Sequence, residues 1–478
     1  MSQVVAELQP LRTGRNRASS KLASLTFRQR LVKRALYRNH CAFALLLNRF
    51  RQRITPTGWL VLITAIVIGA VGADTNASHG YETFSLLACM ILGSALCAPF
   101  GRPRLSVERF LPKFGSVGQR LNYRLVVRNQ SGGLQAGLKL IEDLPDPRPT
   151  FEEFVLTPEP GEQRRNWVDR YYGHYRWRWL LARNVRARIE EVSLPPLVAG
   201  QELSVSASLA PLRRGVLRLE ATTVACPDPF GLFRSLRRLP LPQSILILPK
   251  RHELLAFQLP GTIKYQQGGV SMASSVGESE EFVSLREYRA GDPMRRLHWK
   301  SFAKLGKPIV KEFQDEFFVR HALLLDTFGT HAATELFEDA VAVAASVACA
   351  IQDQDSLLDL MFVGAEAYCF TSGRSVGRIE KMLEILASVH LCVDKEFSEL
   401  EQLVVDHAAE ISGCVCVFLG WDSSRQRLAQ TLRAREIPVK VFVITMDEKA
   451  PAPGVMAADP NNFHTLPMGK VAEALAAL

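Results

Sequence analysis

The sequence predicts three parts in order: a two-helix transmembrane hairpin, a β-rich domain, and an α/β domain on a doubly wound, mostly parallel sheet. Three observations carry this. Two uncharged apolar runs lie between residues 57 and 100. Short β-branched runs bounded by Gly, Pro, Asn and Asp follow. After about residue 317, near-continuous apolar strands alternate with helical stripes. At 478 residues the chain exceeds a single core, and its 47% hydrophobic and 22% charged content exclude a disordered chain.

Residues 1–56 form a basic N-terminal segment. Up to Arg53 there are twelve Lys/Arg against the single acid Glu7, while the remainder holds 46 Lys/Arg and 47 Asp/Glu. The net charge of +10 is therefore a property of that segment, and the body lacks the excess of basic residues expected of a nucleic-acid binder. Gly58 to Ala73 and Phe84 to Phe100 carry no charge over sixteen and seventeen residues. Each is slightly short of the roughly 20 residues that cross a bilayer core, so a buried hairpin in a soluble domain is the competing reading. Basic residues precede the first run, and Arg102, Arg104, Arg109 and Lys113 follow the second, while Asp74 to Glu82 has no Lys or Arg. That bias predicts a two-pass protein of the cytoplasmic membrane with both ends in the cytoplasm, the basic segment free to meet anionic lipid.

Residues 104–255 read as the β-rich domain, from "LNYRLVVRN", "LSVSASL", "VLRLEATTV" and "SILILP". The insert "RRNWVDRYYGHYRWRW" is either half-buried strand with exposed arginines or a membrane-surface loop. "CPDPFGLFR" is punctuated by two prolines and a glycine and predicts a fixed turn.

Residues 275–478 form the α/β domain. "FFVRHALLLD", "LLDLMFV", "CVCVFL" and "VKVFVIT" read as strands buried on both faces. Helical stripes run through Leu336, Ala340, Ala344, Val347 and Ile351, through Ile379, Met382, Leu386 and Val389, and through Phe397, Leu400, Val404 and Ile411. Neither G-x-x-x-x-G-K-[ST] nor G-x-G-x-x-G occurs, so nucleotide binding has no support. The nine cysteines are scattered without a C-x-x-C pair, as in a reduced compartment; Cys414 and Cys416 share a strand face and read as small buried apolar residues rather than a redox or metal pair.

Two places hold candidate chemistry. At strand ends, Asp326 in "LLLDTFGT" and Asp422 after "VFLGWD" are weak candidates to hold Mg²⁺ with Thr330, or else helix N-caps. The second place is the motif of residues 278–313, whose stretch "LREYRAGDPMRRLHWKS" packs seven charged side chains into seventeen positions. Its candidate binding residues are Arg286, Tyr288, Gly291, Asp292, Arg295, His298, Trp299 and Lys300. Asp292 followed by Pro293 predicts a helix start, and Gly306 its stop. His298 and Asp292 lack a Ser, Cys or second His at a catalytic spacing, and Asp447 with Lys449 is too isolated for a nuclease. A phosphate surface is opposed by the interleaved acids. A structural brace or docking surface suits arginine forks and a tryptophan best.

"EEFVSLREYRAGDPMRRLHWKSFAKLGKPIVKEF", Glu280 to Phe313, resembles the signature of the domain of unknown function 58 family, and "RRGVLRLEATTVACPDPFGLFR", Arg213 to Arg234, resembles its preceding block. The resemblance covers roughly Arg104 to Leu478. It implies a membrane-anchored von Willebrand factor A-like domain, found with MoxR-type AAA+ ATPases and transglutaminase-like membrane proteins. It also implies an Asp-x-Ser-x-Ser metal-adhesion site, to which Asp326 and Thr330 conform while Phe328 replaces a serine. The expected function is a membrane-anchored protein-binding scaffold, not an enzyme and without a cofactor, that serves as adaptor for such an ATPase. The alternative is a Mg²⁺-dependent hydrolase using Asp326 and Asp422.

Overall fold

The structure, a computed structural model, describes residues 27–71, 78–98, 103–254, 280–289, 292, 294, 297–315, 319–329, 333–351, 356–372, 376–446 and 450–476. Much of the basic segment is helix α1 (Phe27–Arg53), which leads through Ile54 and Thr55 into the apolar helix α2 (Pro56–Val71). Helix α3 (Ser78–Cys97) packs on α2, with Gly69 close against the Phe84 ring. Among the described residues, His79–Cys97 is the helix long and apolar enough to cross a membrane; Pro56–Ala70 is apolar but shorter.

The β-rich domain is two stacked sheets. Strands β1 (Leu105–Phe110), β2 (Phe114–Ser116), β3 (Leu121–Asn129) and β4 (Lys139–Asp143) precede an insert; β5 (Ala187–Ile189), β6 (Val192–Ser193), β7 (Glu202–Pro211), β8 (Gly215–Pro227) and β9 (Arg234–Leu248) follow it. One sheet runs β1-β3-β7-β5, the other β2-β9-β8-β4-β6, with β2–β9 the parallel pair. Alternation along β3 turns Tyr123, Leu125 and Val127 inward to meet Leu140, Leu209, Leu217 and Ile247. Arg109, counted above as a membrane-flanking cation, is instead buried in this domain. Its guanidinium pairs with Glu142 and donates to Thr222 Oγ1 at 3.0 Å and to Leu241 O at 2.8 Å.

The aromatic insert is helical, which corrects the strand reading. It forms α4 (Phe151–Leu156), α5 (Trp167–Tyr172) and α6 (His174–Asn184). Thr150 and Glu153 make a capping box for α4, and Gly173, at φ 66°, separates α5 from α6. Trp177 and Leu180, three apart, are buried with Phe154, a helical spacing that the dense aromatics masked.

In the α/β domain, β10 (Glu280–Glu287) pairs antiparallel with β11 (Ile309–Asp315), and the short helix α7 (Trp299–Leu305) lies between them in sequence. The main sheet comprises β12 (Val319–Leu325), β13 (Ser356–Val363), β14 (Ala367–Ser372), β15 (Gly413–Phe418), β16 (Val439–Thr445) and β17 (Phe463–Pro467), in the order β14-β13-β12-β15-β16-β17. All neighbours are parallel except β13–β14. Helices α8 (Thr334–Ile351), α9 (Val376–Ser388) and α12 (Val471–Ala476) cover the face of Leu323, Leu360, Val415 and Phe442. Helices α10 (Ser398–His407) and α11 (Ser423–Ala434) cover that of Leu324, Met361, Cys416 and Val443. Each central strand thus alternates between two cores, which is why it reads as a continuous apolar run. The edge strands β14 and β17 are short and half-polar, and the sequence pattern missed them.

Two junctions join the parts. Arg214 reaches from the β domain to donate to Val389 O at 2.7 Å and pairs with Glu338 at 2.5 Å, 5.0 Å over the Phe337 ring. At the other end of β8, the turn after Pro227 meets the base of α2. Thr55 N donates to Leu232 O at 3.0 Å, Thr55 Oγ1 to Gly231 O at 2.6 Å and Thr57 Oγ1 to Gly231 O at 2.9 Å. A Cβ on Gly58 would lie 2.2 Å from Leu232 O. Gly58→Ala should therefore lower the melting temperature of the full chain in detergent, whereas Gly133→Ala, with nothing within 4 Å, should leave it unchanged.

Candidate functional site

The motif folds as an arm. Tyr288 N donates to Pro308 O at 2.9 Å and His298 N to Ile309 O at 2.8 Å, which closes both ends of the excursion against β11. Leu297 and Val310 bridge and are buried. Across this base the Arg286 fork holds Asp292 by two parallel bonds of 2.8 Å, and Asp292 also accepts Arg289 N at 2.8 Å. Asp292 is thus not the expected N-cap: its oxygens are committed to the arm's base, and α7 starts seven residues later after His298. His298 Nδ1 lies 2.6 Å from Ser301 Oγ, and Gly306, at φ 67°, ends the helix where the sequence placed its stop. Gly291 and Arg295 lie outside the described residues.

What the arm presents is apolar and basic. Trp299 is 61% exposed and meets Phe302 edge-to-face with ring centroids 6.1 Å apart. Leu305, Met294, Leu285, Lys300 and Lys304 are also exposed. The arm is thus braced at its base by Arg286 and Asp292 and exposed on its helix at Trp299 and Leu305.

At the carboxyl ends of the main sheet, where the strand order reverses between β12 and β15, the expected carboxylates converge on an arginine. Asp326 is wholly buried; it accepts Phe328 N and Leu419 N, each at 3.0 Å, and Arg425 Nε at 2.8 Å. Asp422 caps α11 through Arg425 N at 3.0 Å and pairs with the same guanidinium. Burial pushes the Asp326 carboxyl up, and Arg425 opposes this. Mg²⁺ requires oxygen ligands in octahedral array, and these residues do not fit it: the guanidinium holds the cation's place and Phe328 offers no ligand. Thr330 lies outside the described residues. Among those described, no group of three or more His, Cys, Asp or Glu could hold a metal. Cys414 and Cys416 are fully buried, their sulfurs 3.6 Å apart, packed among apolar side chains.

Sequence reasoning missed Arg425, Arg214, Ser94 and Asp228. Ser94, buried in the apolar α3, donates to Asp228, which also accepts Phe233 N at 2.8 Å and Phe230 N at 3.1 Å. A lone serine in an apolar run and an Asp between two prolines were the available signals, and neither names its partner.

Arg425→Met should cost about 3–5 kcal/mol, because it leaves a buried carboxylate without its counter-charge. Adding Asp326→Asn should recover part of that loss in guanidinium unfolding of the full chain in detergent. The Arg286 fork, and then the Arg289 amide, hold Asp292 below the usual carboxylate range. Its contribution is present above the unfolded value of about 3.9 and is lost as pH falls through the lower folded value. Carboxyl-carbon NMR should return a midpoint below about 3.9, and Arg286→Gln should raise it toward that value.

The model of a family described as "Protein of unknown function DUF58" matches residues 284–459. "Uncharacterized protein YeaD" of Bacillus subtilis (strain 168) is 26% identical over 192 residues, 40% of this chain and 46% of that protein, so the chain spans less than half of that relative. Among solved structures, a CARDB domain from Pyrococcus furiosus covers 31% of this chain and 90% of its own at 14% identity and a TM-score of 0.17. A PapD-like domain of human CEP192 covers 30% and 84% at 15% identity and a TM-score of 0.16.

Proposed function

We propose, on the premise that the chain belongs to the DUF58 family, that it is a membrane-anchored protein-binding scaffold whose signature arm is the docking surface. The observation that carries this reading is the exposure of Trp299 beside Phe302 and Leu305 on a helix whose base is braced by Arg286 and Asp292. Tryptophan is a frequent interface anchor, and leaving such area in water forgoes roughly 25 cal/mol per Å². Lys300 and Lys304 add a basic rim suited to an acidic partner surface.

In this reading α2 and α3 form a two-pass hairpin, with both ends and both large domains cytoplasmic, supported by the basic flanks and the turn free of Lys and Arg. The α/β domain is von Willebrand A-like, supported by its central parallel strands and two helical layers. The family resemblance points to a MoxR-type AAA+ ATPase as partner, with a transglutaminase-like membrane protein in the same assembly. The chain acts as a binder rather than as an enzyme. The Mg²⁺-dependent alternative gains no favouring observation, since Arg425 engages both Asp326 and Asp422.

Crosslinked pull-downs from native membranes with ATP should recover one AAA+ ATPase with the wild type and lose it with Trp299→Ala, at an unchanged melting temperature. Equal recovery from both would refute the arm as the docking surface.

A further inference from the structure

Helix α1 holds two stripes at helical spacing. Tyr37, His40, Cys41 and Ala44 pack on the insert. The Tyr37 ring lies 5.6 Å from Phe151 and 5.8 Å from Trp177, His40 stacks on Trp177 at 5.5 Å, and Tyr37 Oη donates to Pro149 O at 3.0 Å. The second stripe, Phe43, Leu46, Leu47 and Phe50, repeats at i, i+3, i+4 and i+7, and each residue is at least 50% exposed. At 100° per residue it lies about a third of a turn round from the packed stripe. Arg51 and Arg53 fall on its opposite edges. The helix has eight Lys/Arg and no acid.

We propose that α1 is an interfacial helix: Phe43, Leu46, Leu47 and Phe50 enter the acyl boundary of an anionic bilayer, and Arg51 and Arg53 engage its head groups. This rests on the membrane-anchored reading and deepens it. Two features select a bilayer over a protein partner. The helix bearing the stripe ends only a two-residue link short of the apolar α2: Ile54 N donates to Phe50 O at 2.9 Å at the close of α1, and Trp59 N to Thr55 O at 3.0 Å at the start of α2. A helix end that enters a membrane span emerges at head-group level, where apolar residues edged by arginine are stable. The charge is also complementary: the helix carries no acid, and Arg51 and Arg53 flank the exposed stripe toward an anionic surface. Because the other stripe is stapled to the insert, this second hold sets how the β domain stands on the membrane.

The test places the photocrosslinker p-benzoylphenylalanine at Leu47, at Ile63 in α2, or at Cys41 on the packed stripe, in the full chain reconstituted into nanodiscs. Adducts are identified by mass spectrometry. Phospholipid adducts at Leu47 and Ile63 but not Cys41 are expected. The Leu47 yield should fall several-fold without phosphatidylglycerol or with Arg51→Gln and Arg53→Gln together. Lipid at Ile63 with none at Leu47 overturns the interfacial helix and leaves the membrane anchor standing. Lipid at neither position overturns both. A peptide adduct at Leu47, from a second copy or from residues 1–26, overturns the proposal in favour of a protein contact, as does a yield indifferent to lipid charge.

Discussion

Strand β8 is the constraint on which the arrangement of the parts depends. Its thirteen residues, at about 3.4 Å each, form a rod of roughly 40 Å. Just before it, Arg214 grips the α/β domain, and just after it, the Asp228 turn grips the base of α2 and Ser94 of α3. β9 pairs with β8 along its length, with a register shift between Leu219 and Ala221, and β4 joins it over Ala221–Ala225, so this strand spans the distance between the apolar helices and the α/β domain. The Arg213–Arg234 block therefore serves as a connector whose two polar ends are its contacts.

Buried charge is handled the same way in each domain. Arg109 meets Glu142, Arg214 meets Glu338 and Arg425 meets Asp326. Such pairs add little net stability, since desolvation offsets much of their attraction, but losing one partner is costly, so they specify a unique arrangement. At the strand ends Arg425 places its guanidinium between Asp326 and Asp422, at the switch point of the sheet. Exposed apolar side chains lie elsewhere, on α1, on the apolar helices α2 and α3, on α5 and on α7.

Legibility in the sequence follows the range of the interactions. Strands β12, β13, β15 and β16 were legible because both faces are buried, and α8 because its stripe repeats at 3.6 residues. Gly306 marked the end of α7 because its positive φ is a local requirement. The insert misled because aromatic density mimics strand composition while its helical spacing is short. Asp292 misled because an Asp before Pro satisfies a local capping rule, yet Arg286, six residues away across the arm, claims the carboxylate first. For Trp299 the sequence left both packing and exposure open.

The sequence by itself determined what periodicity, turn residues and charge bias encode: two apolar helices beside a basic segment, a β-rich region, a doubly wound α/β region and a signature between them. Only the tertiary structure decided which polar groups meet. Asp326 and Arg425 lie 99 residues apart, Ser94 and Asp228 134, and Arg214 and Val389 175. The physical reason is that a local pattern constrains backbone torsions and faces, whereas the partner of a buried charge is selected by which chain segments the packed core brings within hydrogen-bond reach.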